Sequence, residues 1–362
     1  LLPGDICQSP LIWRQETTMC YKLGPPDPGS ADKAPKDTYF TCRKLTKNLF
    51  YITEDDRWGE NPFIYVRLYA STVVLIDTGC GGPHNSSDAD FTSLRHFIEE
   101  YSVADNDNQP LNPGGTKNYT VICTHCHYDH IGGIMHFTES STTSVVASSY
   151  DRDFIASPDR LPTSSLCRFV GMNTPEYSVT VWAEDGQSIT DSAGNDLGLV
   201  LYHAPGHTPD QLAIWDAQER FLFVGDTVYE HAPILFPIEG NIKNYVATIK
   251  RLQGLVKGWN SIESQSMYRN KPTNFRVAKI LGRVLMACGH LTCNADAGEL
   301  LEEVRTCLQQ SLVGTIQPKP CGLERGEDLE SYSSANKRVS FQGPRSYFAK
   351  ARADQDLMSE LA

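Results

Sequence analysis

No apolar run in the chain approaches the roughly 20 residues that a membrane-spanning helix needs, so nothing in it reads as a transmembrane segment. A surplus of positive charge is also missing. With 32 Lys and Arg against 44 Asp and Glu the net charge is −12, the wrong sign for a surface that tracks a phosphate backbone. There is no disulfide framework either. The 11 cysteines are odd in number and irregularly spaced, which suits buried reduced thiols and a reducing cytosol. Cys7, Cys20 and Cys42, in a loop-rich stretch, are the one group in which a disulfide is suspected, and the Cys123/Cys126 pair is read as packing rather than redox chemistry. No internal repeat is visible. The chain opens Leu1-Leu2-Pro3 without methionine, consistent with a start lying upstream. What remains is 362 residues, 40% of them hydrophobic, enough for one large domain.

The ten histidines are unevenly spread. Three of them, with a carboxylate, fall within the six residues His125-Cys126-His127-Tyr128-Asp129-His130, directly after the β-branched run Tyr119-Thr120-Val121-Ile122. Two positions apart, His125 and His127 project to the same side of an extended backbone. Asp129 and His130 lie beyond them, where the chain turns through Gly132-Gly133. Imidazole nitrogen with carboxylate oxygen is a donor set suited to zinc and acceptable to iron, manganese or cobalt. Taken alone, such a cluster also fits a surface loop. Three further places repeat the pattern of an apolar run ending in a turn that carries one metal-competent side chain beside glycine. They are His207 in Pro205-Gly206-His207-Thr208 after Leu199-Val200-Leu201-Tyr202, Asp226 in Gly225-Asp226-Thr227 after Phe221-Leu222-Phe223, and His290 in Cys288-Gly289-His290 after Val284-Leu285-Met286. Four such turns at one edge of a fold make a dinuclear site.

Residues 1–44 carry little periodicity, and the prolines of Pro25-Pro26-Asp27-Pro28 argue for irregular chain. Leu49–Ile52, Phe63–Tyr69 and Thr72–Ile76 read as strands, joined at first by a charged loop that carries Trp58. Phe91–Tyr101 has helical spacing; a strand is expected at Ser144–Ala147, a helical turn near Tyr150–Ile155, and strands at Tyr177–Ala183, Leu197–Tyr202 and Leu212–Trp215. Asn241–Val256 and Asp296–Val313 read as amphipathic helices separated by a polar connection over 259–281, and the chain beyond Gly314 reads as a polar tail with Phe341, Tyr347 and Phe348 as anchors. Strands followed by helices, twice over, fit two sheets packed face to face with helices outside.

The order HxHxDH, then His, Asp and His, preceded by Leu75-Ile76-Asp77-Thr78-Gly79, resembles the metallo-β-lactamase superfamily from about residue 45 to about 315. The resemblance implies an α/β fold, the αββα sandwich, as one catalytic domain over 45–315 between an irregular N-terminal extension (1–44) and a polar C-terminal tail (316–362). It implies two zinc ions, with iron or manganese as alternatives. His125, His127 and His207 would hold the first, Asp129, His130 and His290 the second, and Asp226 would bridge. Asp77 would steady the ligand loop from behind, Asp129 would also steer a proton, and Tyr229, three residues after Asp226, would donate to a substrate oxygen. Trp58 is a candidate substrate platform. An aspartate at 226 departs from the lactamases with a thiolate or with no bridging carboxylate, and points to the lactonase, thioesterase, glyoxalase II and phosphodiesterase relatives. The expected activity is opening of a small cyclic ester, amide or carbamate by a metal-bridging hydroxide, with acyl-carrier, acyl-CoA or glyoxalase II-like thioester hydrolysis as the alternative. The expected partner is a small-molecule substrate, with neither nucleic acid nor membrane, in the cytoplasm.

Overall fold

The computed structural model describes residues 38–81, 91–138, 143–269 and 282–361. The first half of the chain builds one sheet in sequence order. Phe40–Lys44 (β1), Leu49–Glu54 (β2), Phe63–Leu68 (β3) and Thr72–Ile76 (β4) are antiparallel neighbours, and β4 then pairs in parallel with Asn118–Ile122 (β5), followed by Thr143–Ser148 (β6) and Val181–Ala183 (β7). Central β4 is buried along its whole length, as its unbroken Thr-Val-Val-Leu-Ile run requires of a strand covered on both faces. The second sheet joins Gln187–Thr190 (β8), Asp196–His203 (β9), Leu212–Asp216 (β10) and Phe221–Phe223 (β11) antiparallel, and β11 runs parallel to Leu285–Ala287.

The sheets face each other through Tyr65, Val74, Ile76, Ile122 and Val146 on one side and Leu199, Leu201, Leu212, Ile214, Phe221 and Phe223 on the other. Phe97, Ile98, Phe137 and Phe154 cover the outer face of the first sheet, and the helices Ile242–Arg269 and Ala297–Leu312 cover the second. Burying side chains of this size stabilises by roughly 1.5–3 kcal/mol each. The result is the αββα sandwich.

Three expectations are corrected. The segment after 315 is not an irregular tail. Lys319–Glu324, Glu327–Ser333 and Ser340–Pro344 join Pro233–Leu235 in a third, four-stranded sheet, and the helices Arg345–Ala353 and Gln355–Leu361 follow. Tyr332, Phe341, Phe348, Leu357 and Leu361 bury into the core shared with the two long helices. These strands show no clean alternation of buried and exposed positions; they pair with one another in sequence order, and Ser340–Pro344 alone reaches Pro233–Leu235, about a hundred positions upstream. At the other end, β1 lies inside the stretch expected to be irregular and pairs with β2; residues 1–37, with Cys7 and Cys20, lie outside the described residues, and Cys42 is a free thiol. Finally, the helix expected to end at Val256 continues to Arg269, so 259–269 is not a connection; the sequence there lacks the apolar stripe that would reveal a helix.

Candidate metal centre

Every expected ligand leaves the C-terminal end of a strand at one edge of the two sheets. His125 and His127 follow β5 in an extended loop, and a single helical turn, Tyr128–Ile131, carries Asp129 and His130. His207 stands between β9 and β10, Asp226 in the 3-10 turn Gly225–Thr227 after β11, and His290 after Leu285–Ala287. Backbone bonds tie these loops together: Leu212 N–H donates to Thr124 O at 2.7 Å and Gly289 N–H to Gly225 O at 2.8 Å. Glycine is required at 289, since a methyl there would press on Asp226 Oδ1 and His130 Cε1.

The side chains gather into two groups, His125, His127 and His207 in one and Asp129, His130, Asp226 and His290 in the other, with the ligand atoms of each group within 4.8 Å of one another. His207 Nε2 stands 3.1 Å from His127 Nδ1. Two nitrogens that share one tetrahedral zinc at about 2.0–2.1 Å lie about 3.3 Å apart, so this gap fits a common ion. In the second group Asp129 Oδ2 is 3.0 Å from His290 Nε2 and 3.4 Å from His130 Nε2. Asp226 divides its carboxylate between the groups. Its Oδ1 lies 3.3 Å from His130 Nε2 and 3.5 Å from His290 Nε2, while its Oδ2 lies 3.9 Å from His207 Nε2.

Four of the five rings are aimed by a bond on the far nitrogen. His130 Nδ1 meets Asp77 Oδ2 at 2.8 Å, His207 Nδ1 meets Leu235 O at 2.9 Å, His290 Nδ1 meets Glu60 O at 3.0 Å and His125 Nδ1 meets Thr124 Oγ1 at 3.1 Å. Such partners leave Nε2 of these four rings free for a metal. Asp77 also accepts from Thr124 N–H at 2.7 Å and Thr124 Oγ1 at 2.8 Å, so one carboxylate braces both the ligand loop and a ligand. His125 Nε2, His130 Nε2 and Asp226 Oδ1 are buried without a well-aligned protein partner, an arrangement that costs free energy unless a cation supplies one.

The electrostatics differ between the groups. Burial and the neighbouring rings push His125 well below its ordinary range and His127 to about 3, and burial lowers His207, so the first group is three neutral donors. In the second, burial opposes charge on His130 and His290, yet Asp129 and Asp226 hold both well above the ordinary imidazole range. Burial likewise opposes charge on Asp226, but His290 and His130 keep it well below the usual carboxylate range. Two carboxylates here draw protons onto two rings, which is where a divalent cation is wanted.

The metallo-β-lactamase superfamily profile matches residues 57–258. The chain belongs to the metallo-β-lactamase superfamily. It is 34% identical over 299 residues, 82% of each chain, to an Aspergillus versicolor protein, avaE, provisionally named as a transcription factor. It is 29% identical over 232 residues, 60% of this chain and 76% of the relative, to an acyl-coenzyme A thioesterase of Gallus gallus. A metallo-β-lactamase family protein of Thermus thermophilus aligns in structure over 76% of this chain and 85% of its own, with 19% identity and a TM-score of 0.49. Hydrolysis is the chemistry of this superfamily, and the His/Asp groups described above are the ones among the described residues that could hold a metal ion.

Within this metallo-β-lactamase fold the two remaining expected residues lie next to ligand-bearing segments. Trp58 is half-buried, 5.3 Å edge-to-face from Tyr128, and its Nε1–H donates to Val170 O at 3.2 Å. Tyr229 is buried with its ring 6.0 Å from that of His290, and its hydroxyl donates to Pro233 O at 3.0 Å. Two carboxylates beside the ligands escaped sequence reasoning. Glu60 accepts the Tyr128 hydroxyl, and burial and Asp129 raise its pKa to about 7 against the pull of His290. Asp210 is fully buried beside Thr208 and Cys126, and burial raises it to about 7. Glu60 lay in the acidic Trp58 loop and Asp210 three positions after His207; a charge next to a ligand turn was the signal available.

Proposed function

We propose that the chain is a dinuclear zinc hydrolase that cleaves acyl thioesters. The observation that carries the hydrolase reading is the divided carboxylate of Asp226, one oxygen toward each ligand group. When bound, two divalent ions supply a water of near-neutral pKa and withdraw electron density from the carbonyl under attack. The chain's own part is to present seven ligands, four of them aimed through Asp77, Thr124, Leu235 and the Glu60 carbonyl, and to take a proton at Asp129.

The leaving group separates thioester from ring opening. A thiolate departs without a proton, whereas an alkoxide or amine gains from a donor. Tyr229 already spends its single hydroxyl proton on Pro233 O, which favours the thioester, and so do relatives that are acyl-coenzyme A thioesterases. The second reading, opening of a small lactone, lactam or cyclic carbamate, rests on Asp226 together with Tyr229 releasing Pro233 O to serve the leaving oxygen or nitrogen. Zinc rather than iron or manganese is supported by an all-imidazole first group in which His207 Nε2 and His127 Nδ1 stand 3.1 Å apart. The transcription-factor name of the Aspergillus relative is not carried over, because a net charge of −12 opposes a DNA backbone. The nine cysteines of the described residues are all free thiols, which supports a reducing cytoplasmic setting.

The test is turnover by the zinc-loaded protein of acyl-CoA esters and S-lactoylglutathione beside lactones, lactams and cyclic carbamates. Thioester hydrolysis that stops on zinc removal is the expected result. Rapid ring opening with inert thioesters would move the second reading into first place.

A further inference from the structure

The rim of the metal cleft is closed by parts of the chain that the ligands do not use. The short helix Cys167–Val170 rests on Tyr128, between ligands His127 and Asp129: Tyr128 N–H donates to Ser165 O at 2.9 Å, and Cys167, Cys80 and Tyr128 are buried together, with Trp58, Leu166 and Val170 around them. Phe169 stands on this helix with 49% of its surface exposed. Its ring is also met by a segment far along the chain. Arg325, at the tip of the hairpin between Lys319–Glu324 and Glu327–Ser333, places its guanidinium 4.9 Å from the ring centre, and Arg168 lies 5.5 Å away. Arg325 is fixed in turn by a bidentate pair with Glu239, at 2.8 and 2.6 Å. Beside Glu239, a methyl on Gly240 would sit 3.2 Å from His207 O, and Asn241 N–H donates to Gly206 O at 2.8 Å. Phe169 is thus tethered to the His127–His130 side through Tyr128 and to the His207 side through Arg325 and Glu239.

We propose that Phe169 is a specificity-determining platform for the apolar acyl group of the substrate, and that the C-terminal hairpin positions it there through Arg325. The proposal rests on the acyl-hydrolase reading above. A single exposed phenylalanine is ordinary on a protein surface. This one is clamped by a guanidinium from a segment 156 positions downstream and shares its rim with Trp58, whose ring also carries a guanidinium, that of Arg57 at 4.1 Å. Glu239 neutralises Arg325, so the pair orients the ring rather than inviting an anion. A cleft with polar donors at its floor and aromatic faces at its lip suits an acyl compound with an extended alkyl or aryl chain, not a small polar acyl group.

The experiment is isothermal titration of the zinc-loaded full chain with carboxylates that mimic the acid product: acetate, hexanoate and decanoate. Affinity should rise along the series in the wild type. Phe169→Ala should weaken decanoate about tenfold and acetate less than twofold, with zinc content and melting temperature unchanged. Arg325→Ala should reproduce part of that loss, and Phe169→Leu should recover part of it. Equal losses for acetate and decanoate, or no dependence on chain length in the wild type, would overturn the proposal. Because binding needs no turnover, the two readings fail separately. Length-dependent binding with no acyl bond cleaved would defeat only the hydrolase reading, and cleavage indifferent to acyl length only the platform.

Discussion

The sandwich buries charge at both ends of its inter-sheet space, and the two ends are built in opposite ways. At the end away from the ligands, Arg67 on β3 meets Asp216 on β10 with Nε to Oδ2 at 2.8 Å. The guanidinium also donates to Gln218 Oε1 at 2.9 Å and Leu68 O at 3.1 Å and lies over the Tyr69 ring, while Asp216 Oδ1 accepts the backbone N–H groups of Gln218 and Glu219 at 2.9 Å. Every charge there is answered by protein. At the ligand end the same two sheets bring together five imidazoles and two carboxylates; His125 Nε2, His130 Nε2 and Asp226 Oδ1 are buried there without a well-aligned protein partner, while the far nitrogens of His125, His130, His207 and His290 are hydrogen-bonded. One end completes its hydrogen bonds between the sheets; the other leaves buried donor atoms that a cation could answer. Buried charge alone therefore does not mark a site, and the direction of its unmet valences does.

Breaking each end should give a different signature. The largest effect is expected from Asp226→Ala, which removes the shared carboxylate: turnover should drop at least about 10²-fold and elemental analysis should show loss of one of two equivalents of metal. Retention of both equivalents would deny Asp226 its bridging place. Asp216→Ala strikes the opposite end and leaves Arg67 buried without its carboxylate. Stability in denaturant titration should fall by about 3–5 kcal/mol with metal stoichiometry untouched. A variant that instead lost metal would show that the two ends are coupled.

Smaller effects sharpen the contrast within the site. In Tyr229→Phe the bond to Pro233 O disappears and the ring stays. Thioester turnover is expected to remain within about threefold of wild type, and any lactone opening to fall about 10²-fold, as loss of one aimed donor does. A large fall on thioesters would make the hydroxyl a participant in that reaction too. The least dramatic measurement is of protons. His125, His127 and His207 are already neutral because their pKa values are lowered, so filling the first group at pH 7 should release almost none. His130 and His290, with raised values, bind protons in the metal-free protein, and filling the second group should release them. Lowering the pH should accordingly empty the second group first. Zinc titration calorimetry in buffers of different ionisation enthalpy reads this directly, and equal release from both groups would contradict it.

The ligand groups were legible because metal binding demands particular side chains on turns that end strands, and both demands are local. His125 and His127 show their common side by a spacing of two, and Gly206, Gly225 and Gly289 mark the turns that carry His207, Asp226 and His290. The C-terminal sheet was not legible: its three consecutive strands lack a clean alternation, and no periodicity announces that Pro233–Leu235 pairs with a strand that begins at Ser340. The same holds for Tyr229: its offset from Asp226 was visible, but not that Pro233 O would take its hydroxyl.

By itself the amino-acid order indicated two facing sheets with helices outside, through strands followed by helices twice over, and the identity of seven metal-competent side chains; the αββα sandwich came from the family resemblance. Only the tertiary structure decided that Asp226 turns one oxygen to each group, that the Glu60 carbonyl aims His290, and that Arg325 reaches across to Phe169. These are contacts between segments separated by tens to hundreds of residues. Their geometry follows from how the sheets twist and pack, and no short stretch of sequence encodes it.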